Sequence, residues 1–300
     1  MALNKEIWVG TILEGFIPNN SFAAQSVDHS EYVNGKTVHV PNAGTGAAIQ
    51  KNRTSLPATI GTRTDQDLSY DLAIFTSDPL RTEKLAEVEL SYDKRTSILA
   101  QTKENLQKAV MEEIMYNWVP SSPSSVATSG AGAAAHIPTA TGSRKALTKA
   151  DVLAVKTLMD KDDVPADGRY MLLDAVMYNQ LLNDLTNAET MNFLAGANPE
   201  TGVVGQYMGF QFYMRSKVLK TVAAGTLKAW TSSAAATDSA AGLAWQKGCV
   251  SRALGSVEVF EDTDNPQYYG DIISMGMRAG GKHIRTDKNG VVLIYQATVS

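Results

Sequence analysis

Only a few residues of this 300-residue chain stand at spacings that could support chemistry. Ser91 and Lys94 have the Ser-x-x-Lys spacing of acyl-serine enzymes, but the sequence contains neither the Ser-Asp-Asn nor the Lys-Thr-Gly motif that completes such a site. We therefore interpret Ser91 as the N-cap of a helix, the commoner role of a serine at such a position. Gly44 and Gly46 follow a predicted strand without the third glycine of a dinucleotide-binding loop, and the sequence has no Walker lysine motif and no Gly-x-Ser-x-Gly elbow.

A group of four aspartates resembles a calcium-binding loop at first sight. Its members are Asp160, Asp162, Asp163 and Asp167. However, Val164 and Pro165 occupy positions where an EF-hand loop needs oxygen ligands, and Gly168 comes too late for its turn. We interpret the group as a solvated helix end followed by a turn.

The histidines and the cysteine indicate no metal or nucleophilic site either. The four histidines are far apart and have no paired ligand spacing; they are His29, His39, His136 and His283. The single Cys249 cannot form an internal disulfide or a cysteine-based zinc site, which fits a reducing compartment, and we interpret it as a core residue. We therefore predict no catalytic, cofactor-binding or metal-binding residues, and we expect the protein not to be an enzyme.

Composition and charge narrow the function classes further. Hydrophobic residues make up 44% of the chain and charged residues 19%, which is typical of a folded protein. The formal net charge is -4 and the lysines and arginines are scattered, so no basic stripe indicates a nucleic-acid site. The N-terminus has no apolar run of signal-peptide length, and no segment reaches the roughly 20 apolar residues that a membrane span needs. We expect a soluble protein that is made in the cytoplasm and does not bind a membrane.

The longest predicted element is a helix over residues 91–118, a segment without glycine or proline. Its apolar residues recur at intervals of four or seven and so form one stripe: Leu99, Leu106, Val110, Ile114 and Trp118. Pro120 ends the helix. At about 1.5 Å per residue the helix spans roughly 40 Å, which suits a spine against which the other elements pack.

Two predicted strands enclose a long polar excursion. Residues 36–41 and 67–75 alternate in strand fashion, and the second strand places on one face Leu68, Tyr70, Leu72 and Ile74. Residues 42–66 lack a core pattern, which is unusual for a connection inside a compact domain. We predict a long hairpin that projects from the body. Because an isolated hairpin is marginal in water, it needs another surface, where carboxylates could meet Lys51, Arg53 and Arg63.

The middle of the chain alternates helices and strands. Residues 120–142 are dominated by small residues and are predicted to form a flexible loop between two modules. Thr148 is predicted to cap the next helix, whose apolar side consists of Val152, Val155, Leu158 and Met159. Buried strands are predicted at 170–173 and 210–214, and the helix after the first of them carries Val176, Leu181 and Leu182. This order indicates an α/β sandwich, followed at 223–242 by a strand and a mobile loop.

The two ends of the chain are predicted to complete the first module. The N-terminal segment carries Trp8, Ile17 and Phe22, and two interpretations remain open: it docks on its own domain, or it is an arm that packs on a neighbouring subunit. The C-terminal part is predicted to be nearly all β, with strands at 257–260, 271–279, 282–285 and 291–297. Gly280–Gly281 and residues 288–290 are predicted turns between them.

The order of these elements resembles the major capsid protein of tailed bacteriophages, the Hong Kong 97 phage fold. The segments that carry the resemblance are IPNNSF from Ile17, YVNGKTVHVPNAG from Tyr32, RTDQDLSYDLAIFTSDP from Arg63, ELSYDKR from Glu89, VPADGRYMLL from Val164 and GFQFYMRSKV from Gly209. The resemblance covers nearly the whole chain and implies an α+β fold. It implies four parts: an N-terminal arm (1–33), an extended β-hairpin loop (34–80), a peripheral domain with the long spine helix (81–147 and 253–300) and an axial α/β domain (148–252).

The resemblance also implies a function. The chain would be a structural major capsid protein that self-assembles into hexamers and pentamers of an icosahedral head shell, which encloses double-stranded DNA without sequence-specific binding. The implied partners are other copies of the chain and scaffolding and portal proteins, and the implied location is the virion, after synthesis in the host cytoplasm. Two alternatives stay open. One is an encapsulin-like nanocompartment shell, and the other is a soluble α/β enzyme built on the axial module, against which the lack of a nucleophile, base or metal set argues.

Overall fold

The computed structural model describes residues 21–42, 49–54, 56–57, 60, 66–83, 94–222, 225–229, 231–285 and 287–299. The α-helices of this part of the chain are α1 (Lys94–Trp118), α2 (Lys149–Lys161), α3 (Ala175–Asp184) and α4 (Asn187–Ala195), and none of them is long and apolar enough to cross a membrane. The strands are β1 (Val27–Asp28), β2 (Val33–Asn34), β3 (Thr37–Asn42), β4 (Gln66–Asp71), β5 (Ala73–Thr76), β6 (Leu80–Glu83), β7 (Ser124–Ala127), β8 (Gly132–Ala134), β9 (Ser143–Lys145), β10 (Arg169–Asp174), β11 (Gly205–Tyr207), β12 (Phe210–Arg215), β13 (Leu219–Thr221), β14 (Leu227–Lys228), β15 (Ser239–Gln246), β16 (Val250–Asn265), β17 (Gly270–His283) and β18 (Val291–Tyr295). Short 3-10 helices lie at Phe22–Ala24, Ser30–Tyr32 and Lys247–Cys249.

Helix α1 is the predicted spine. The stripe residues Leu106, Val110, Ile114 and Trp118 are all buried in one core, which confirms the apolar face that their spacing predicted. The predicted cap Ser91 and the side chain of Leu99 lie outside the described residues. At the other end of the helix, the indole N–H of Trp118 donates to the carbonyl oxygen of Ser251 at 2.7 Å, so the last turn is fixed to β16.

The first sheet has five strands and lies against α1. Strands β1, β16, β17 and β5 follow one another, and β6 also pairs with β17. The predicted turn at Gly280–Gly281 is wrong, because β17 continues through both glycines and places Gly281 opposite Arg252. A Cβ on Gly281 would stand 2.6 Å from the carbonyl oxygen of Ser251 and 3.2 Å from Cγ2 of Ile114. The glycine therefore allows the strand to approach the helix closely and does not reverse the chain.

The second sheet has eight strands and is covered on both faces. Its order is β11-β12-β10-β15-β13-β14, with β18 beside β15 and β7 beside β18. The predicted strands at 170–173 and 210–214 are confirmed as β10 and β12, which pair in parallel. All six residues of β10 are buried, because Leu172 faces the core around α1 while Met171 and Leu173 face a second core formed with α2, α3 and α4.

Two of the three helices around the second core, α2 and α3, were predicted from the sequence, whereas α4 was not. Thr148 is the N-cap residue of α2, as predicted, and its N–H and hydroxyl group both donate to Oδ2 of Asp151 at 2.9 Å. In α3 the predicted inward residue Val176 is exposed, and Met177 is buried in its place. Asp174 caps this helix by accepting the N–H of Met177 at 2.7 Å, and this fixes which residue turns toward the sheet.

Residues 120–142 do not form the predicted flexible loop. Strand β7 pairs in parallel with β18, and β8 pairs with β9. Small residues are suited to this segment because the backbones approach closely: a Cβ on Gly130 would lie 2.7 Å from the carbonyl oxygen of Ala146. Strand β18 lies within the range 253–300 that was expected to belong to the peripheral domain. It pairs with β15 of the second sheet, where Val292 and Ile294 fill the second core.

Strands β2, β3 and β4 form a third, three-stranded sheet, which we call the ribbon. The predicted hairpin pairing is confirmed, with His39 opposite Ser69 and Asn42 opposite Gln66. The single strand predicted at 67–75 is wrong, because the chain leaves the ribbon at Leu72 and enters the first sheet as β5. The alternation shifts at this break, so Ile74 is 63% exposed and does not share the buried face of Tyr70.

Candidate functional site

The side chains that could do chemistry are dispersed in the folded chain. Within the described residues, no three of His, Cys, Asp and Glu come together in a way that could hold a metal ion. His136 Nε2 lies 2.7 Å from Oδ2 of Asp174, the carboxylate that caps α3. His39 Nδ1 lies 2.8 Å from Oδ2 of Asp67 across the ribbon. Both pairs join neighbouring elements of the fold.

The aspartates at the end of α2 also serve the fold. Asp160 accepts hydrogen bonds from Lys156 Nζ at 2.5 Å and from Arg169 Nη1 at 2.7 Å, and these bonds lower the pKa of its carboxyl group. Asp163 adopts a left-handed φ of 49° in the turn that follows. The interpretation of this group as a helix end and turn is confirmed.

Cys249 lies in the core, as predicted. Its thiol donates to Oε1 of Gln246 at 3.4 Å, and burial raises the pKa of the thiol. A raised pKa keeps the group protonated near neutral pH, which is unfavourable for a nucleophile.

A buried charged group at the edge of the second sheet was missed at the sequence level. The fully buried Asp238 accepts from Lys228 Nζ at 2.8 and 2.9 Å, and Lys220 Nζ lies 4.0 Å away. Burial alone would raise the pKa of Asp238, but the bonds from Lys228 and from the N–H of Ala235 lower it overall. Arg144 donates to the carbonyl oxygen of Asp238 at 3.0 Å. These bonds fix part of the segment 223–242, which was predicted to contain a mobile loop. In the sequence, only a single aspartate among serines and alanines indicated the buried charge.

The root of the ribbon is tied to the body through buried polar contacts. Tyr70 of β4 accepts a hydrogen bond from Oγ of Ser251 at 3.3 Å, and Nδ1 of His29 lies 3.5 Å from the same hydroxyl oxygen. Burial lowers the pKa of His29, and the charge of Asp28 offsets part of that effect. Since Ser251 also accepts from Trp118, the ribbon, β16 and α1 meet at this point.

The connection between β3 and β4 of the ribbon carries large apolar side chains that are almost fully exposed. Ile49 is 99% exposed, Leu56 82% and Ile60 95%. Lys51 and Arg53 are exposed beside them. Three such side chains in one short stretch are unusual on a monomer and typical of a surface that another molecule covers.

Phe22 lies in the described part of the N-terminal segment. Its ring lies 5.8 Å from that of Trp118 and 6.2 Å from that of Trp245, and the two indoles are 5.4 Å apart. Phe22 is therefore docked on its own chain. Trp8 and Ile17 lie outside the described residues.

The outer face of the first sheet is a second apolar surface with large exposed side chains among the described residues. Exposed Ile74 and Phe260 line a shallow cavity of about 230 Å³, together with Glu258 and Arg278. Val257 and Val259 alternate with these exposed residues and face the core. The arrangement offers apolar area and two opposite charges to a partner, and it contains no group placed to act on a small substrate.

Comparison with protein families gives one match over most of the chain. The family described as "Phage capsid protein" matches residues 23–297. No curated protein matches the sequence.

Solved structures with the same fold come from several sources. The capsid of the cyanophage P-SCSP1u is 17% identical with a TM-score of 0.62, and the match covers 92% of this chain and 87% of that chain. The capsid of Ralstonia phage GP4 is 13% identical with a TM-score of 0.62, covering 94% and 89%. A virus-like particle from Pyrococcus furiosus is 10% identical with a TM-score of 0.54, covering 97% and 99%. These likenesses confirm the predicted α+β fold.

Proposed function

This chain belongs to the phage capsid protein family and is a structural protein of the capsid, and we propose that its copies assemble into hexamers and pentamers of an icosahedral head shell. The shell encloses the double-stranded genome without reading its sequence. The protein is located in the virion after synthesis in the host cytoplasm. Scaffolding and portal proteins are its proposed partners besides other copies of itself, and shell formation requires no catalytic residue.

The exposed apolar side chains in the connection between β3 and β4 are the observation that carries this proposal. Ile49, Leu56 and Ile60 have nothing to pack against in a single described chain. Burial of an exposed aliphatic side chain contributes roughly 1.5–3 kcal/mol, so a neighbouring subunit that covers three of them gains substantial stability. Because each subunit in a closed shell has several neighbours, many modest contacts add up to a stable particle.

We assign the residue ranges of the chain to the parts of a capsid subunit. Residues 1–33 form the arm, 34–80 the extended loop, 81–147 and 253–300 the peripheral domain, and 148–252 the axial domain around the capsomer axes. The pairing of β18 and β7 in the second sheet supports moving residues 124–127 and 291–295 to the axial side of this boundary. The lysines and arginines of the extended loop then meet carboxylates of a neighbouring subunit.

An encapsulin-like nanocompartment is the second candidate, because the virus-like particle from Pyrococcus furiosus shares the fold over nearly its whole length. The family match favours the phage shell. Neighbouring genes separate the two functions: terminase and portal genes accompany a phage capsid gene, whereas a peroxidase or ferritin-like cargo gene accompanies a nanocompartment.

Size-exclusion chromatography with electron microscopy tests the proposal directly. Purified protein should form rings or shells, and a compact monomer under all assembly conditions would contradict it. A triple variant, Ile49→Ser, Leu56→Ser and Ile60→Ser, should keep the melting temperature of the dispersed subunit and lose assembly, since these side chains are 82–99% exposed. Val299→Ser, which alters another exposed apolar residue, is the matched control and should assemble normally.

A further inference from the structure

A cavity of about 270 Å³ lies where α1, β12 and the segment beginning at Ser21 meet. Met111 and Lys108 of the helix form one wall, and Tyr213 and Arg215 of the strand form another. Tyr213 and Arg215 are two positions apart in β12, so both side chains point to the same side of the sheet. The cavity therefore brings a phenol, a guanidinium and an ammonium group to one place.

The guanidinium of Arg215 is incompletely satisfied within the described chain. Its Nη1 is buried and has no hydrogen-bond partner among the described residues. The group stacks on Phe22 at 5.4 Å from the ring centre. Burial lowers the pKa of Arg215, and the charge of Glu112 offsets only part of that effect. A guanidinium stays charged in proteins, so partial burial of this cation is costly unless a further acceptor reaches its unpaired Nη1.

The hydroxyl group of Tyr213 has the same deficiency. Its oxygen is buried and makes no hydrogen bond of normal geometry with a described residue. Burial raises the pKa of Tyr213 to about 12, although the nearby side chain of Gln25 lowers it somewhat. The hydroxyl is therefore a neutral donor at neutral pH. An unpaired guanidinium N–H of Arg215 next to the phenol hydroxyl of Tyr213 favours an oxyanion as the missing group.

We propose that this cavity is a receptor for a carboxylate side chain of a second copy of the chain, held by Arg215 and Tyr213. The inference rests on the proposed function, because it assigns a contact between subunits of the shell. The size of the cavity suits an acidic side chain, and the planar guanidinium matches a carboxylate in a two-point contact. The chain has a net charge of -4, and a neighbouring copy offers exposed carboxylates such as Glu31, Asp78 and Glu258. A polyanion is disfavoured because Glu104 also lines the cavity.

We expect Arg215→Met to leave the dispersed subunit as stable as before and to weaken assembly of the particle. Methionine keeps a long side chain on Phe22 but removes the charge, so the melting temperature of the dispersed subunit should stay the same or rise. The protein concentration at which half of the subunits assemble should rise by about tenfold or more, because a charge-assisted contact is lost in each copy. Tyr213→Phe should raise the same concentration by about threefold. Lys247→Met removes an exposed cation from the subunit and should leave the assembly concentration unchanged.

Light scattering measures the assembly of each variant, and thermal melts measure the stability of its dispersed subunit; together they test the proposed carboxylate contact. Normal assembly of Arg215→Met would overturn the inference while leaving the proposed function intact. A lower melting temperature of its dispersed subunit would also overturn it, since the guanidinium would then be paired within one chain. Failure of the unmodified protein to assemble would refute the proposed function, and with it this contact.

Discussion

Replacing Gly281 by alanine should destabilise the subunit, because this glycine lies at the closest approach of β17 to α1. The added Cβ would stand 2.6 Å from the carbonyl oxygen of Ser251, 3.0 Å from Nε1 of Trp118 and 3.2 Å from Cγ2 of Ile114. The new methyl group would therefore press on the 2.7 Å hydrogen bond between Trp118 and Ser251. An extra carbon in a packed core costs about 1–3 kcal/mol, and weakening a buried hydrogen bond costs about 1 kcal/mol more.

We expect a loss of about 2–4 kcal/mol, which lowers the melting temperature of a chain of this size by about 3–6 °C. Gly276→Ala, on the same strand, is the matched control. The nearest atoms to its added Cβ lie at 3.6–3.7 Å, which is ordinary contact. This variant should be neutral or more stable by about 0.4–1 kcal/mol, because alanine restricts the unfolded chain.

Differential scanning fluorimetry and urea titration of dispersed subunits measure both effects. Equal melting of the Gly281→Ala and Gly276→Ala variants would refute the close packing of helix and strand. A double variant with Trp118→Phe adds an internal check. Removing the indole N–H relieves one contact of the new methyl group, so the two substitutions should couple by about 1 kcal/mol and strict additivity would argue against this geometry.

Three further predictions concern the spine, the pH response and the ribbon. Ile114→Asp should destabilise the subunit by about 3–5 kcal/mol in urea titrations, since it buries an uncompensated charge in the core. The control Ala100→Asp, on the exposed side of α1, should cost less than about 1 kcal/mol. Equal losses of stability in the two variants would contradict the buried stripe. Hydrogen bonds from the N–H and hydroxyl of Thr186, and then from Lys149, lower the pKa of Glu189 to about 2, so its stabilising effect is full above its ordinary value near 4.5 and is lost as the pH falls toward 2. Glu189→Gln should flatten the melting temperature across that window, while exposed Glu200→Gln should leave it unchanged; a slope retained in Glu189→Gln would reject the assignment. Deletion of residues 45–63 should leave a folded subunit with impaired assembly, because the described side chains in that stretch are exposed, and wholesale unfolding in circular dichroism would show that they belong to the core.

Periodic features of the sequence were sufficient to predict the main elements. The stripe from Leu106 to Trp118 repeats every four residues, and its burial follows from helical geometry alone. Thr148 before an amphipathic segment is a local cap signal, and Thr148 is the N-cap residue of α2 in the structure. In both cases, neighbours in sequence determine the outcome.

The errors arose where contacts distant in sequence determine the structure. Gly280 and Gly281 are consistent with a turn in any local view, and only the position of α1 explains why the strand continues through them. The small residues of β7 form no hydrophobic pattern that would predict a strand. The strand exists because β18, more than 160 positions away in the sequence, pairs with it. Arg215 and the buried Asp238 also escaped prediction, since neither has a motif and each is defined by residues from other elements.

Trp118 and Trp245 belong to one continuous core, so α1 packs at once against residues from both large sheets. A subunit built in this way behaves as a rigid body, because neither sheet can tilt without disrupting packed aromatic rings. Flat and strongly curved regions of a closed shell must therefore differ in the angles between neighbouring subunits. We expect the ribbon, which is buried only at its root, to absorb that difference.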